Sequence, residues 1–250
     1  MNSLGSQVAM TSAGRTGTTG HRSAVTTQGD HPLPRRIVRE ILGPLFLLTL
    51  LMIAIGLLLT KTFADVWPIS DEDAVNRWLA GHRTHTWDLV TSVLSQMANT
   101  PAIVAASAAC AVILRLVFHR WRESLFLVGA VAAQSAVFMT TAFFVDRHRP
   151  NVHHLDDAPP TSSFPSGHTS AALALIGGLA VILSVHYVRS RWRVAWWAIA
   201  VAIPLTVGGA RLYRGMHHPS DVLASLLSGG VCLVVMTSAI LLRDRSSRSP

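Results

Sequence analysis

Lysine is nearly absent from this 250-residue chain and occurs once, as Lys61. Charge of either sign is also scarce, at 14% of residues, against about 25% in water-soluble domains. That deficit excludes an ordinary soluble fold and points to a chain embedded in lipid. Cysteine appears twice, at Cys110 and Cys232, each inside an apolar run. Two such residues exclude a disulfide framework or a thiolate metal site and read as small packing residues. Acidic residues number only 13, which leaves a formal charge of +8. A nucleic-acid partner would call for a continuous basic stripe. Here the arginines gather at the ends of apolar runs, as membrane topology demands, so no nucleic-acid partner is expected.

Apolar residues make up half of the chain. They fall into six stretches, at 41–60, 101–118, 124–145, 169–185, 194–210 and 222–242. Each approaches the ~20 residues that cross ~30 Å of hydrocarbon at 1.5 Å per residue. Clusters such as "AASAA" and "SGG" suit close helix–helix contact. Residues 1–34 are rich in Ser, Thr, Gly and Gln. They are expected to form a disordered tail, because they cannot bury enough surface to offset their ordering entropy. No apolar core follows the first basic residues, so the tail does not read as a signal peptide. The expected organisation is a cytoplasmic tail over 1–34, a six-span domain over 35–243 and a short cytoplasmic tail over 244–250. The expected fold is all-α: a polytopic bundle of six transmembrane helices, with one or two amphipathic interfacial helices in the first outward loop.

Six spans put both ends of the bundle on one side. Arg35, Arg36 and Arg39 precede the first span, Arg120 and Arg122 separate the second and third, and Arg189, Arg191 and Arg193 separate the fourth and fifth. Arg243, Arg245 and Arg248 follow the sixth. By the positive-inside rule this face is cytoplasmic. Residues 61–100, 146–168 and 211–221 then face the periplasm or the extracellular space. Trp78, Trp87, Trp192, Trp196 and Trp197 suit the aromatic belts at the two interfaces.

In the first outward loop, Ser70 is a candidate N-cap with Asp73 as its capping-box partner. Val75, Trp78 and Leu79, then Trp87, Val90, Val93, Leu94 and Met97, recur at helical spacing. This predicts one or two amphipathic helices, either lying on the membrane or packed on the bundle as a lid.

The other two outward loops carry charge at helix junctions, where ionisable groups are costly unless paired or wetted. Arg147, Arg149, Arg211 and Arg214 offer planar guanidinium forks that match phosphate oxygens. Pro165-Ser166-Gly167-His168 opens a span, where free backbone N–H groups attract an anion. Gly167 lets a ligand oxygen approach the backbone, and Ser166 adds a hydroxyl. His217 and Asp221 are four residues apart and share a face if that turn is helical, with Pro219 suited to its start. A carboxylate that holds one imidazole nitrogen leaves the other basic, as covalent catalysis requires. The run "HHLDD" (153–157) reads as a solvated loop, since adjacent residues rarely converge on one metal ion.

These three segments resemble the tripartite signature of the type 2 phosphatidic acid phosphatase superfamily, whose active site vanadium haloperoxidases share. Its pattern is Lys, six residues, Arg-Pro; then Pro-Ser-Gly-His; then Ser-Arg, five residues, His, three residues, Asp. The chain supplies Arg149-Pro150, all of Pro165–His168, and Arg211, His217 and Asp221. It departs at Ala142, where the lysine should fall, and at Ala210, where the serine should fall.

The resemblance implies that His217 attacks phosphorus, Asp221 stabilises its imidazolium, and His168 serves as acid and then base. Arg149, Arg211, Ser166, the Gly167 amide and Arg147, standing in for the lysine, would hold the phosphate. No cofactor and no metal are expected. The implied partners are membrane lipids and a lipid phosphate or diphosphate: polyprenyl (undecaprenyl) diphosphate, phosphatidic acid or phosphatidylglycerol phosphate. The alternatives are a catalytically weakened lipid-phosphate-binding protein or a transporter. A transporter would carry ionisable groups near the middle of its spans, and these spans hold almost none.

Overall fold

The structure is a computed structural model that describes residues 35, 37–158, 160–187 and 191–242. The expected tails at 1–34 and 244–250, together with Arg36, Arg189, Arg243, Arg245 and Arg248, lie outside the described residues. Within them the chain is helical, and six helices are long and apolar enough to cross a membrane. These are α1 (Val38–Thr62), α4 (Thr100–Phe118), α5 (Arg122–Phe144), α6 (Gly167–His186), α7 (Arg193–Tyr213) and α8 (Pro219–Leu242). Two shorter helices, α2 (Glu72–Gly81) and α3 (His85–Met97), fill the first loop. The chain is a multi-pass membrane protein whose spans fall within a few residues of the apolar stretches.

α5 is the central staff, packed against α1, α4, α6 and α8. Phe126, Leu127 and Ala130 on it are fully buried and meet Ala174 and Ile182 of α6 and Leu233 of α8. A second cluster joins Met52 of α1, Val137 of α5 and Cys232 of α8 to Val145 and Phe164, which flank the segment between α5 and α6. In lipid, helices associate through such close van der Waals packing rather than through escape from water. The rest of the apolar surface faces outward, with Phe46, Leu116, Phe143 and Val194 among the most exposed.

The first loop departs from expectation in two ways. Ser70 does not cap α2; a short 3₁₀ turn covers Ile69–Asp71 and the helix starts at Glu72. The Asp73 carboxylate meets His218 Nε2 at 3.2 Å instead of closing a capping box. α3 does have a side-chain cap, since Thr84 Oγ1 accepts from the Trp87 N–H. Both helices also turn their polar face inward. Glu72, Asn76, Thr91 and Ser95 are buried, whereas Trp78, Trp87, Val93 and Met97 are exposed. Both α2 and α3 pack on α7.

Candidate active site

Local chain signals place each site residue. α7 ends in a Schellman turn: the Gly215 N–H bonds to Leu212 O and the Met216 N–H to Arg211 O, the paired 5→2 and 6→1 pattern that glycine favours. Gly215 has φ +75°, and a Cβ there would lie 2.7 Å from Val152 Cγ2. This turn hands the chain directly to His217. α8 then begins with His218 at its N-cap and Pro219 in its first turn. The Asp221 carboxylate reaches back to accept the His218 N–H at 2.8 Å. His217 therefore precedes the helix rather than sharing a helical face with Asp221.

The three signature segments are bonded to one another. Arg149 Nη1 donates to Met216 O at 2.8 Å. His217 Nδ1 lies 2.6 Å from Ser163 O. The Ser166 N–H donates to Ser225 Oγ at 2.6 Å. His168 sits in the first turn of α6 and shares one electrostatic neighbourhood with Arg211, His217, Asp156 and Arg149. Arg149 Nε and Arg211 Nε are buried and have no hydrogen-bond partner among the described residues. Two guanidinium donors in the electrostatic reach of two imidazoles are a donor set that suits an anion.

Charge and burial act together on these groups. Burial pushes the His217 imidazole below its usual pKa; the Asp221 carboxylate opposes this, and Arg211 and Arg149 add to it. Burial would raise the Asp156 carboxyl, but the Arg214 hydrogen bond and the charges of Arg211 and Arg214 outweigh it, and the carboxyl lies below the usual range.

Several expected roles shift. Asp221 is not the direct partner of His217: its Oδ2 lies 3.8 Å from Nδ1, and the carboxylate is engaged by the His218 N–H and by Arg147. Arg147 is not open to a ligand. It is buried between Glu72 (2.6 Å) and Asp221 (2.5 Å) and also donates to Ser220 Oγ, so two carboxylates use the cation that was to replace the lysine. Arg214 is likewise taken up by Asp156, Leu155 O, Asp88 O and Thr91. Asp156 is no solvated loop residue, because it bridges Arg211 and Arg214 and accepts from Ser95. Ser166 is fully buried and its hydroxyl pairs with Thr169 at 3.0 Å. The side-chain space at Gly167 is filled by the Phe138 ring, 3.0 Å from where a Cβ would stand.

Sequence reasoning missed Ser163, Glu72, Asn76, Ser95 and Asp156. The last four belong to helix faces or loops whose polarity reads as solvation; the only legible sign was the spacing of Glu72 and Asn76, one turn apart.

Comparison with known families matches residues 123–245 to the PAP2 superfamily, a stretch that holds all three signature segments. The chain carries a PAP2 superfamily domain. Its fold agrees with solved members. One is a transmembrane PAP2-type phosphatidylglycerolphosphate phosphatase from Bacillus subtilis, with a TM-score of 0.68 and 19% identity over 82% of this chain and 96% of that one. Another is LpxE of Aquifex aeolicus, with a TM-score of 0.54 and 20% identity over 66% of this chain and 93% of that one. A lipid A 1-phosphatase of Rhizobium etli is 38% identical over 68 residues, which span 27% of this chain and 25% of that protein. The PAP2 match begins at α5 and leaves α1 to α4 outside it.

Proposed function

We propose that this chain is a membrane-embedded phosphatase that hydrolyses a lipid phosphate or diphosphate through a phosphohistidine on His217. The supporting observation is the 2.6 Å contact between His217 Nδ1 and Ser163 O. A carbonyl only accepts, so the neutral ring carries its proton on Nδ1 and its lone pair on Nε2. Burial keeps that ring neutral.

Nε2 attacks phosphorus as the P–O bond to the leaving group breaks, and His168 delivers a proton to the departing oxygen. His168 then takes a proton from water as the water oxygen attacks the phosphohistidine, which releases phosphate and restores both imidazoles. Arg149 and Arg211 hold the equatorial oxygens with Nε donors that have no partner among the described residues, and the first turn of α6 adds the Gly167 amide. Asp221 stabilises the imidazolium across 3.8 Å, and Ser166 can turn its hydroxyl from Thr169 to a phosphate oxygen. The step proceeds without a metal ion, since guanidinium groups and a helix end supply the positive field.

The site lies at the ends of spans, beside helices with outward apolar faces, so the substrate is a lipid whose phosphate sits at headgroup depth. Polyprenyl diphosphate, phosphatidic acid and phosphatidylglycerol phosphate fit that description. The similar proteins, a lipid A 1-phosphatase and a phosphatidylglycerolphosphate phosphatase, support the same class. The arginines at the opposite end of the bundle support a site on the periplasmic or extracellular face.

The test uses purified protein against these three lipids and a soluble sugar phosphate. Hydrolysis should survive EDTA, yield to vanadate, leave an acid-labile protein-bound phosphate on rapid quenching, and fall at least ~10³-fold in His217→Ala. Full activity in that variant would end the covalent scheme, and preference for the sugar phosphate would end the lipid assignment. Binding without turnover would leave the weakened-binder alternative.

A further inference from the structure

Glu72 and Asn76 lie one turn apart on α2, so both side chains leave the helix on the same side. α2 precedes the PAP2 match, and neither residue belongs to a signature segment. Both are buried, at 7% and 1% exposure. A carboxylate and an amide are costly to bury unless bonded, and their side-chain bonds go to the stretch that carries His217 and to Arg147. Glu72 Oε1 accepts the Ser220 N–H at 2.6 Å. Its Oε2 accepts the Ser220 hydroxyl at 2.9 Å and Arg147 Nη2 at 2.6 Å. Arg147 in turn reaches Asp221. Asn76 Nδ2 donates to His217 O at 3.1 Å and to Leu212 O at 3.2 Å. The chain is thus gripped before the nucleophile, at it and just after it.

We propose that Glu72 and Asn76 are positioning residues for His217: Asn76 fixes the backbone that aims its ring, and Glu72, through Arg147 and Asp221, fixes the charge behind it. This rests on the reading of His217 as nucleophile. Neither side chain touches the phosphate. The two act differently, and that separates their effects. The charged or titratable groups around the His217 ring include Asp221 of α8, Arg211 of α7, His168 of α6 and Arg149 from the segment after α5; His218, paired with Asp73 of α2, lies 3.4 Å from the same Asp221 carboxylate. Arg147 stands behind Asp221, and Glu72 behind Arg147. Glu72→Gln removes the carboxylate that balances Arg147, so more positive charge bears on Asp221 and the imidazolium is disfavoured. Asn76→Ala leaves every charge in place and frees the backbone.

The test combines ¹³C-histidine NMR titration of full-length protein in detergent with kinetics on a short-chain soluble phosphate ester and thermal unfolding of each variant. The His217 signal is assigned by its loss in His217→Gln. In Glu72→Gln its midpoint should move down by ~0.5 pH unit or more, and Glu72→Asp should restore it. In Asn76→Ala the midpoint should stay, while kcat falls ~10–100-fold with KM within about threefold. A folded Glu72→Gln with the wild-type midpoint overturns the charge role. Activity lost only in proportion to the folded fraction overturns the positioning role. The midpoint needs no substrate, so if His217→Ala stayed active the nucleophile assignment would fall, while the titration would still judge Glu72.

Discussion

At the residue scale, the protonation of His217 sets the acid limb of the pH response. In the proposed mechanism His217 attacks only when neutral, and burial with two nearby guanidinium groups lowers its pKa from the ordinary ~6.5. A lowered value keeps the ring neutral at pH 7 and loses it only as the pH falls through that value. The acid limb of kcat/KM on a short-chain phosphate ester should therefore lie below pH ~6.5. Arg149 is the second residue with a sharp forecast. Its Nη1 is anchored on Met216 O, leaving Nε for the ligand. Lysine cannot hold the backbone and present a second donor in a fixed plane. Arg149→Lys should lose roughly 100-fold in kcat/KM, read by steady-state kinetics.

At the element scale, the first loop works as a two-sided collar. Its polar side binds α7 and the site, and its apolar side, with Trp87, Val93 and Met97, stays exposed. Asp156 closes the joint: it ties Arg211 and Arg214 of the α7 end to Ser95 of α3. Removing its charge leaves two largely buried guanidinium groups short of a counter-ion. Asp156→Asn should cost up to about 3 kcal/mol of stability, measured by thermal unfolding in detergent. The spans were legible because ~20 apolar residues in a row have few other readings. The facing of α2 and α3 was not, because periodicity marks two faces of a helix but not what lies beyond each. Glu72 and Ser95 face inward because their partners lie there: Ser220 and Arg147 for the first, Asp156 and Arg211 for the second. Arg147 misled for a related reason: two residues from Arg149 it reads as a spare phosphate ligand, and only Glu72, 75 positions earlier, reveals its use.

At the scale of the whole molecule, the arginine asymmetry becomes a topology that labelling can check. Thr161 lies in the segment carrying the site and Arg191 in the turn between α6 and α7, and both are exposed. In intact cells, a membrane-impermeant maleimide should label Thr161→Cys, and reach Arg191→Cys only after permeabilisation. The reverse pattern would invert the proposed sidedness. The three signature segments were readable because each keeps its spacing within a single junction. Their supports were not, because Asn76 meets His217 across 141 positions, a separation no local pattern encodes.

The contacts from α2 and α3 also set how small the catalyst can be. A fragment cut at residue 123 would retain every histidine and arginine of the signature. It would leave the carbonyls of Leu212 and His217 without their amide donor, Arg147 without one of its two carboxylates, and Arg211 without Ser95. Recognisable ancestry therefore begins about fifty residues later than the smallest piece of chain that could be expected to turn over substrate.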